Sequence, residues 1–450
     1  MSKMPSLQEV ILVRLRIRDD DLKHLADIPE LRTLYLDGPQ FQGTGLRHLR
    51  GLPQLKHLVL VETGVTDEVL ATIDLPQLRE LWLVASKVSD GGIASLVNLP
   101  ELEGLNLAGL KVTDECVASL RKIPKLRSVR LDNTTLTDKG LEELCQLTEL
   151  TTLSISNTKV TDEGMRHLAR LTQLQELSLD GLPISNQGFE SLLGLSKLKL
   201  LSLRQTKCSE EALAVLAGNK DLEWLFFEGM TISDVGLTHL GQLTKLKKLE
   251  LNNQPITDEG VKQLSSLVEL QTLNLSDTSV SDAGIEALVG MKELKTLHLD
   301  NTLIGNAGVA ILSQLPALND VKMRNTKISD QAMFSLARHP ALKNLHIDGT
   351  GVTDVGMLDI ARIPKLYRLS VDKTAITDAG LARLQDKSGM YSLWISSNIP
   401  ATAPGIVLLK KKQPTLHIRF APVPTPAPTL PAVPAPTPTV AAPNNVKASE

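Results

Sequence analysis

Leucine recurs at a fixed interval along this chain. An L-x-x-L-x-L phrase opens at Leu7, Leu31, Leu55, Leu78, Leu102, Leu126, Leu150, Leu174, Leu198, Leu222, Leu246, Leu270, Leu294, Leu318, Leu342 and Leu366, and Met390 opens a seventeenth unit. The spacing is 24 residues throughout, except 23 between Leu55 and Leu78. In LTTLSIS at 150–156, Leu153 and Ile155 alternate with polar Thr152, Ser154 and Ser156. That period of two predicts a short strand with one buried face. A turn around Thr158 and a buried Val160 follow, then Thr161 and Asp162. Both are residue types that accept hydrogen bonds from the free N–H groups of a first helical turn. Met165, Leu168 and Leu171 come next at helical spacing and face inward. Gly164 recurs as Gly140, Gly188, Gly236, Gly260 and Gly284. Helix propensity disfavours glycine there, so close approach of neighbouring helices is the expected reason.

The phrase SNTKVTDEG at 156–164 gathers a hydroxyl, two carboxylates and a glycine, a combination that could do acid/base chemistry. Its near-copies VETGVTDEV at 61–69, NNQPITDEG at 252–260, SDTSVSDAG at 276–284 and DKTAITDAG at 372–380 argue otherwise. Chemistry needs such a group once, whereas a phrase written in nearly every unit is architecture, and its carboxylates read as caps and solvated helix starts. The pattern L-x-x-L-x-L-x-x-T-x-[VI]-[TS]-D-x-G resembles that of leucine-rich-repeat proteins. It is similar to the cysteine-containing repeats of F-box/leucine-rich-repeat proteins, with Thr158, Thr278, Thr326 and Thr350 standing where that type has cysteine. The threonine form of 24 residues is closer to bacterial leucine-rich-repeat proteins. The resemblance covers residues 7 to about 420 and implies an α/β fold: a curved solenoid with parallel strands on the concave face and short helices on the convex face. It leaves function open, because fold does not dictate function.

Composition narrows the picture modestly. The chain is 42% hydrophobic with only 3% aromatic residues, so its core is aliphatic. A net charge of −3 gives no reason to expect nucleic acid or an anionic membrane as partner. Cys116, Cys145 and Cys208 lie in different repeats at different places, which argues against a disulfide framework or metal cluster. The opening MSKMPSLQEVILVRLRIRDDD has its apolar run cut by Arg14 and Arg16 and is a poor signal peptide. No segment is apolar enough to span a bilayer, so a cytoplasmic location is the expectation. A terminal strand, TLHIRF at 415–420, closes the array of residues 7–420. Beyond it, 421–450 is rich in Pro, Ala and Thr and reads as a disordered, extended tail or spacer.

Chemistry-bearing motifs are sparse. His24, His48, His167 and His239 share one helix place, expected on the solvated convex side. His298 and His346 fall on the strand face two strands apart, with Lys322 between them, an arrangement unsuited to a shared metal. No nucleophile elbow, phosphate loop, zinc or calcium pattern is present. No catalytic residue, metal or cofactor is expected, and the chain is read as a non-enzyme.

Function in such an array should sit where units differ on a shared surface. Strand residues pointing away from the core occupy the third, fifth and seventh places of each unit. Trp82, Trp224 and Trp394, the only tryptophans, take such places, as do Tyr35 and Phe226. Aromatic residues in that setting are common interface anchors. In the first four units the fifth and seventh places read Ile11 and Val13, Tyr35 and Asp37, Val59 and Val61, Trp82 and Val84, an apolar patch of the kind that marks a contact surface. The patch also suits self-association or compensation for a missing N-terminal cap. Farther along, the seventh places form an acidic stripe: Asp132, Asp180, Glu228, Asp300, Asp348 and Asp372, joined by Asp37. Such a stripe suits a basic partner.

These features predict a scaffold that binds a protein or peptide on its strand face. A second reading is the substrate-recognition subunit of a ubiquitin ligase, although the six residues before the first repeat leave no room for F-box helices. A third is a structural or surface-display protein, suggested by the proline-rich tail.

Overall fold

The computed structural model describes residues 6–396 and 399–420. Eighteen strands, from Glu9–Val13 to His417–Phe420, make one sheet. Each strand pairs in parallel with the next in sequence, so equivalent places of successive repeats align: Leu153 with Leu177, Leu177 with Leu201. Short α and 3-10 helices return the chain between strands on the opposite face. Strands stack about 4.8 Å apart, whereas packed helices need about 8–10 Å. Stacking one of each per repeat therefore curves the open sheet with its strands on the inside.

The alternation at 150–156 predicts a strand longer than the one found, Thr152–Ser154. Inter-strand bonding does continue, with Ile155 N–H donating to Ser178 O at 3.0 Å and Asn157 N–H to Asp180 O at 2.7 Å. The strand ends because Asn157 turns left-handed, at φ 55°. The eighth place of every unit from Arg14 to Lys373 does the same, filled by five glycines and eleven other residues. Asparagine and glycine tolerate this conformation best, which explains Asn133, Asn157, Asn253, Asn301 and Asn325 in that column.

The core is a continuous aliphatic column. Leu150, Leu153, Ile155, Val160, Met165, Leu168 and Leu171 of one repeat are all fully buried, as their spacing predicts. Thr158 is buried with them and its hydroxyl donates to Ile155 O at 2.8 Å. Thr278, Thr326 and Thr350 make the equivalent bond within their own turns. A buried hydroxyl needs such a partner, and the turn supplies one three residues back.

The aspartate of the TDEG phrase does not act as expected. Thr161 is the N-cap of its helix and accepts from Glu163 N–H. Asp162 instead reaches into the next repeat, accepting from Ser185 N–H at 2.8 Å and Ser185 Oγ–H at 2.6 Å. Asp138 takes Thr161 in the same way, at 2.7 Å and 2.7 Å. The column continues through Asp114–Thr137, Asp234–Thr257, Asp258–Ser281, Asp330–Thr353 and Asp354–Thr377. These carboxylates are inter-repeat clamps rather than solvated helix starts. They also account for the recurrent glycine: a Cβ at Gly164 would lie 2.4 Å from Asp138 Oδ1, and one at Gly188 would lie 2.3 Å from Asp162 Oδ1.

At the N-terminal end the strand Glu9–Val13 pairs on one side only among the described residues. Ile11, Val13 and Leu15 are exposed there. The tail at 421–450 lies outside the described residues.

Candidate functional site

Strand pairing places the fifth residues of successive repeats in one row across the concave face. In the first four strands the row runs Ile11, Tyr35, Val59, Trp82 in direct register. Beside it Val13 pairs with Asp37 and Asp37 with Val61. The side chains are not equally available. Ile11 and Trp82 are 57% and 37% exposed, whereas Val59 is only 8% exposed and serves as floor between its neighbours. Tyr35, Val61 and Val84 are half-buried.

Next to this row the sheet holds a groove of about 670 Å³, running from Thr33 and His57 past Trp82 to Arg130 and Glu176. Two features hollow it out. Gly104 has no side chain, and the Glu80 carboxylate folds across it, so that a Cβ at Gly104 would lie 2.2 Å from Glu80 Oε2. Asn106, paired directly with Trp82, is pulled down to the sheet, its Oδ1 accepting from Ala108 N–H at 3.0 Å. Arg130 stands opposite, 3.5 Å from Glu176.

The other concave aromatics are partly engaged. Arg204 lies over the Phe226 ring at 4.3 Å, and Arg419 over Trp394 at 5.1 Å. Trp224 is exposed two residues before Phe226 on the same strand. Beyond the expected aromatics, Tyr367 and Tyr391 stack at 5.1 Å near the start of their strands. Both sit at the second place of their units, outside the third, fifth and seventh places.

The acidic column turns out to be largely occupied by its own repeats. Asp180 Oδ1 accepts from Ser202 Oγ–H at 2.6 Å and Arg204 N–H at 2.8 Å. Asp132 holds Ser154 and Ser156 likewise, and Asp348 holds Ser370 and Asp372 N–H. Arg324 spans Asp300 at 3.4 Å and Asp348 at 2.7 Å. Glu228 pairs with Arg204. An uninterrupted negative stripe is therefore not what a partner would meet: Asp132, Asp180, Asp300 and Asp348 stitch strand to strand, leaving Asp37 and Asp372 without a cation in salt-bridge reach among the described residues.

His298, Lys322 and His346 align as the repeat spacing requires. Burial first, and then the Lys322 ammonium, lowers the pKa of His298; burial first, and then the Arg324 guanidinium, lowers that of His346. Arg324 also lies 2.9 Å from His346 Nδ1. On the helices, His24 is exposed, whereas His48, His167 and His239 are half-buried instead of solvated. The three thiols are buried and unpaired, and burial pushes Cys116 and Cys145 up to about 12. Such thiols are not poised as nucleophiles. Among the described residues no cluster of His, Cys, Asp and Glu could hold a metal ion, and no helix is long and apolar enough to cross a membrane.

One open sheet of consecutive parallel strands, backed by short helices and clamped at a 24-residue interval, defines a leucine-rich-repeat solenoid. Four segments of the chain, residues 122–145, 146–169, 242–265 and 270–289, match the Leucine Rich repeat family model. Its fold is similar to that of an internalin from Listeria monocytogenes, at 22% identity over 74% of this chain and 94% of that one, with a TM-score of 0.57. A leucine-rich-repeat protein of Leptospira interrogans is similar at 18% identity over 93% and 97% of the two chains, with a TM-score of 0.58. The ectodomain of a membrane receptor kinase from Arabidopsis thaliana, in complex with Casparian strip integrity factor 2, is similar at 18% identity and a TM-score of 0.51. That match covers 88% of this chain and 51% of the ectodomain, so the chain spans about half its length. At these identities the likeness is one of fold. No curated protein matches the chain in sequence.

Proposed function

We propose that this protein is a non-enzymatic interaction scaffold that binds a protein or peptide on its concave face, centred on the N-terminal repeats. The observation that carries the reading is the in-register apolar row from Ile11 to Trp82 beside a groove of about 670 Å³. Exposed aromatic and aliphatic side chains on a rigid sheet lose little conformational freedom on binding, and aromatic anchors carry a large share of interface energy. The plant receptor ectodomain, whose structure contains Casparian strip integrity factor 2, offers a precedent for ligand capture on such a scaffold.

The test is capture from a lysate of the source cells by immobilised protein, with Tyr35→Ser/Trp82→Ser on the concave face and Glu163→Ala on the convex face as comparisons. Loss of specific bands with the concave variant alone is the expected result. Unchanged capture by the concave variant would move the site away from these repeats. Sedimentation of the same proteins covers self-association: a wild-type dimer that becomes monomeric while still capturing its partner would assign the patch to a second copy of the chain.

A further inference from the structure

We propose that the groove beside Trp82 seats a basic side chain, lysine or arginine, of the bound partner. The proposal rests on the concave face being a binding surface and adds the chemistry that this face selects. Trp82 and Glu80 stand two residues apart on one strand, hence on the same side of the sheet. The Glu80 carboxylate lies over Gly104 on the groove floor, and no lysine or arginine of the described residues is within salt-bridge distance of it. Neighbouring Arg79 is directed to Glu103 instead, at 3.5 Å. Because Gly104 has no side chain and Asn106 is tied down, the space next to the indole stays open above a carboxylate.

The chain itself shows what such aromatic residues accept. Phe226 and Trp394, at the same fifth place as Trp82, each carry an arginine from a neighbouring segment of the array: Arg204, two residues past the strand Leu200–Ser202, and Arg419 of the terminal strand. Trp82 carries none among the described residues, since the fifth and seventh places of the repeats on either side of it are Val59, Val61, Asn106 and Ala108. A guanidinium or ammonium entering there gains the indole ring and an unpaired carboxylate together, a pairing that an apolar or acidic side chain cannot exploit. The guanidinium groups of Arg127 and Arg130 stand two repeats farther on, and Arg130 is turned toward Glu176. They place the cation seat at the Trp82 end of the groove.

The intact protein is labelled with 5-fluorotryptophan, and the Trp82 resonance is assigned from Trp82→Phe. It is then titrated with N-acetyl-arginine amide, N-acetyl-lysine amide and the uncharged citrulline amide. The arginine and lysine amides should shift the Trp82 signal saturably, while citrulline amide binds about fivefold or more weakly, the scale of an exposed cation–π contact. Glu80→Gln should weaken the arginine titration by a comparable factor while leaving the three unliganded resonances in place, which shows the fold intact. Equal binding of citrulline amide, a silent Trp82 signal, or an unaffected Glu80→Gln variant would each overturn the proposal. The amides need no natural partner, so the two readings fail separately. A face that seats arginine yet captures no protein overturns only the scaffold, and one that captures protein through Trp82 regardless of charge overturns only the cation seat.

Discussion

An aspartate in one repeat and a glycine in the next form a single packing unit, and of the exceptions at Gly43, Asp90, Asn186 and Asn306 all but one change both residues together. Asp138, Asp162, Asp234, Asp258 and Asp354 are followed by Gly164, Gly188, Gly260, Gly284 and Gly380, each too close to the carboxylate to carry a Cβ. Where asparagine stands instead, at Asn186 and Asn306, the later residue is Ala212 or Ala332, and where the slot is Gly43 it is Val69. Asp90 with Cys116 breaks the rule, and there the helix begins one residue later, at Glu115. Gly164→Ala should therefore destabilise by about 1–3 kcal/mol, as overpacking does. Adding Asp138→Asn should recover at least half of that loss in urea melts, and strict additivity of the two changes would refute the coupling. The close approach was legible in the recurrent glycine, but the identity of what approaches was not, because the carboxylate comes from the preceding repeat.

A second residue-scale device sits in a place normally held by leucine. Asn219 donates to Leu195 O at 2.6 Å, and His339 donates through Nε2 to Leu315 O at 3.0 Å while Nδ1 accepts from Leu342 N–H. Burial lowers the pKa of His339, and also those of His298 and His346. Unfolded histidine titrates near about 6.5, so the unfolded chain takes up protons first as the pH falls. The stability these neutral rings contribute is present above that pH and is lost progressively below it. Melting temperature should drop between pH 7 and pH 5, and His339→Asn, which copies Asn219, should flatten part of the slope. A slope unchanged by that substitution would exclude His339 as a source.

At the scale of the element, the strands are short because a left-handed residue follows each of the first sixteen. The alternating pattern revealed which residues face the core, but it overran the strand, since hydrogen bonding to the next repeat outlasts regular strand geometry. Ala85 adopts φ 52° without a side chain able to favour it. Left-handed geometry costs an ordinary residue about 1–2 kcal/mol, so Ala85→Asn should raise stability by roughly 0.5–1 kcal/mol, visible as a later denaturation midpoint. A loss of stability would mean that the Ala85 methyl group matters more for packing than its backbone does. The helices are harder to read from sequence: one turn of apolar spacing does not distinguish the α segment Asp162–Met165 from the 3-10 segment Arg166–Arg170 that continues it.

For the whole molecule, the 24-residue repeat made the solenoid legible almost completely, and the concave face legible only as columns. The columns located Trp82, Tyr35 and Phe226 correctly on the inner face. They could not show that Asp180 and Asp348 are turned toward Ser202 and Ser370, or that Gly104 and Asn106 hollow out a groove. Both depend on side-chain direction between neighbouring strands, which a column of letters does not carry.

The inter-repeat clamp also restricts how this gene can be cut and rejoined. Excising 150–173 would bring Asp138 against Gly188, a permitted junction, whereas excising 174–197 would bring Asp162 against Ala212, whose methyl group falls where Gly188 has none. Both deletions remove one whole repeat of the same length, yet the second should melt several degrees below the first, and equal melting would show that any repeat can follow any other. A chain that grew by tandem duplication would thus have inherited a rule of adjacency, with some neighbours admissible and others not.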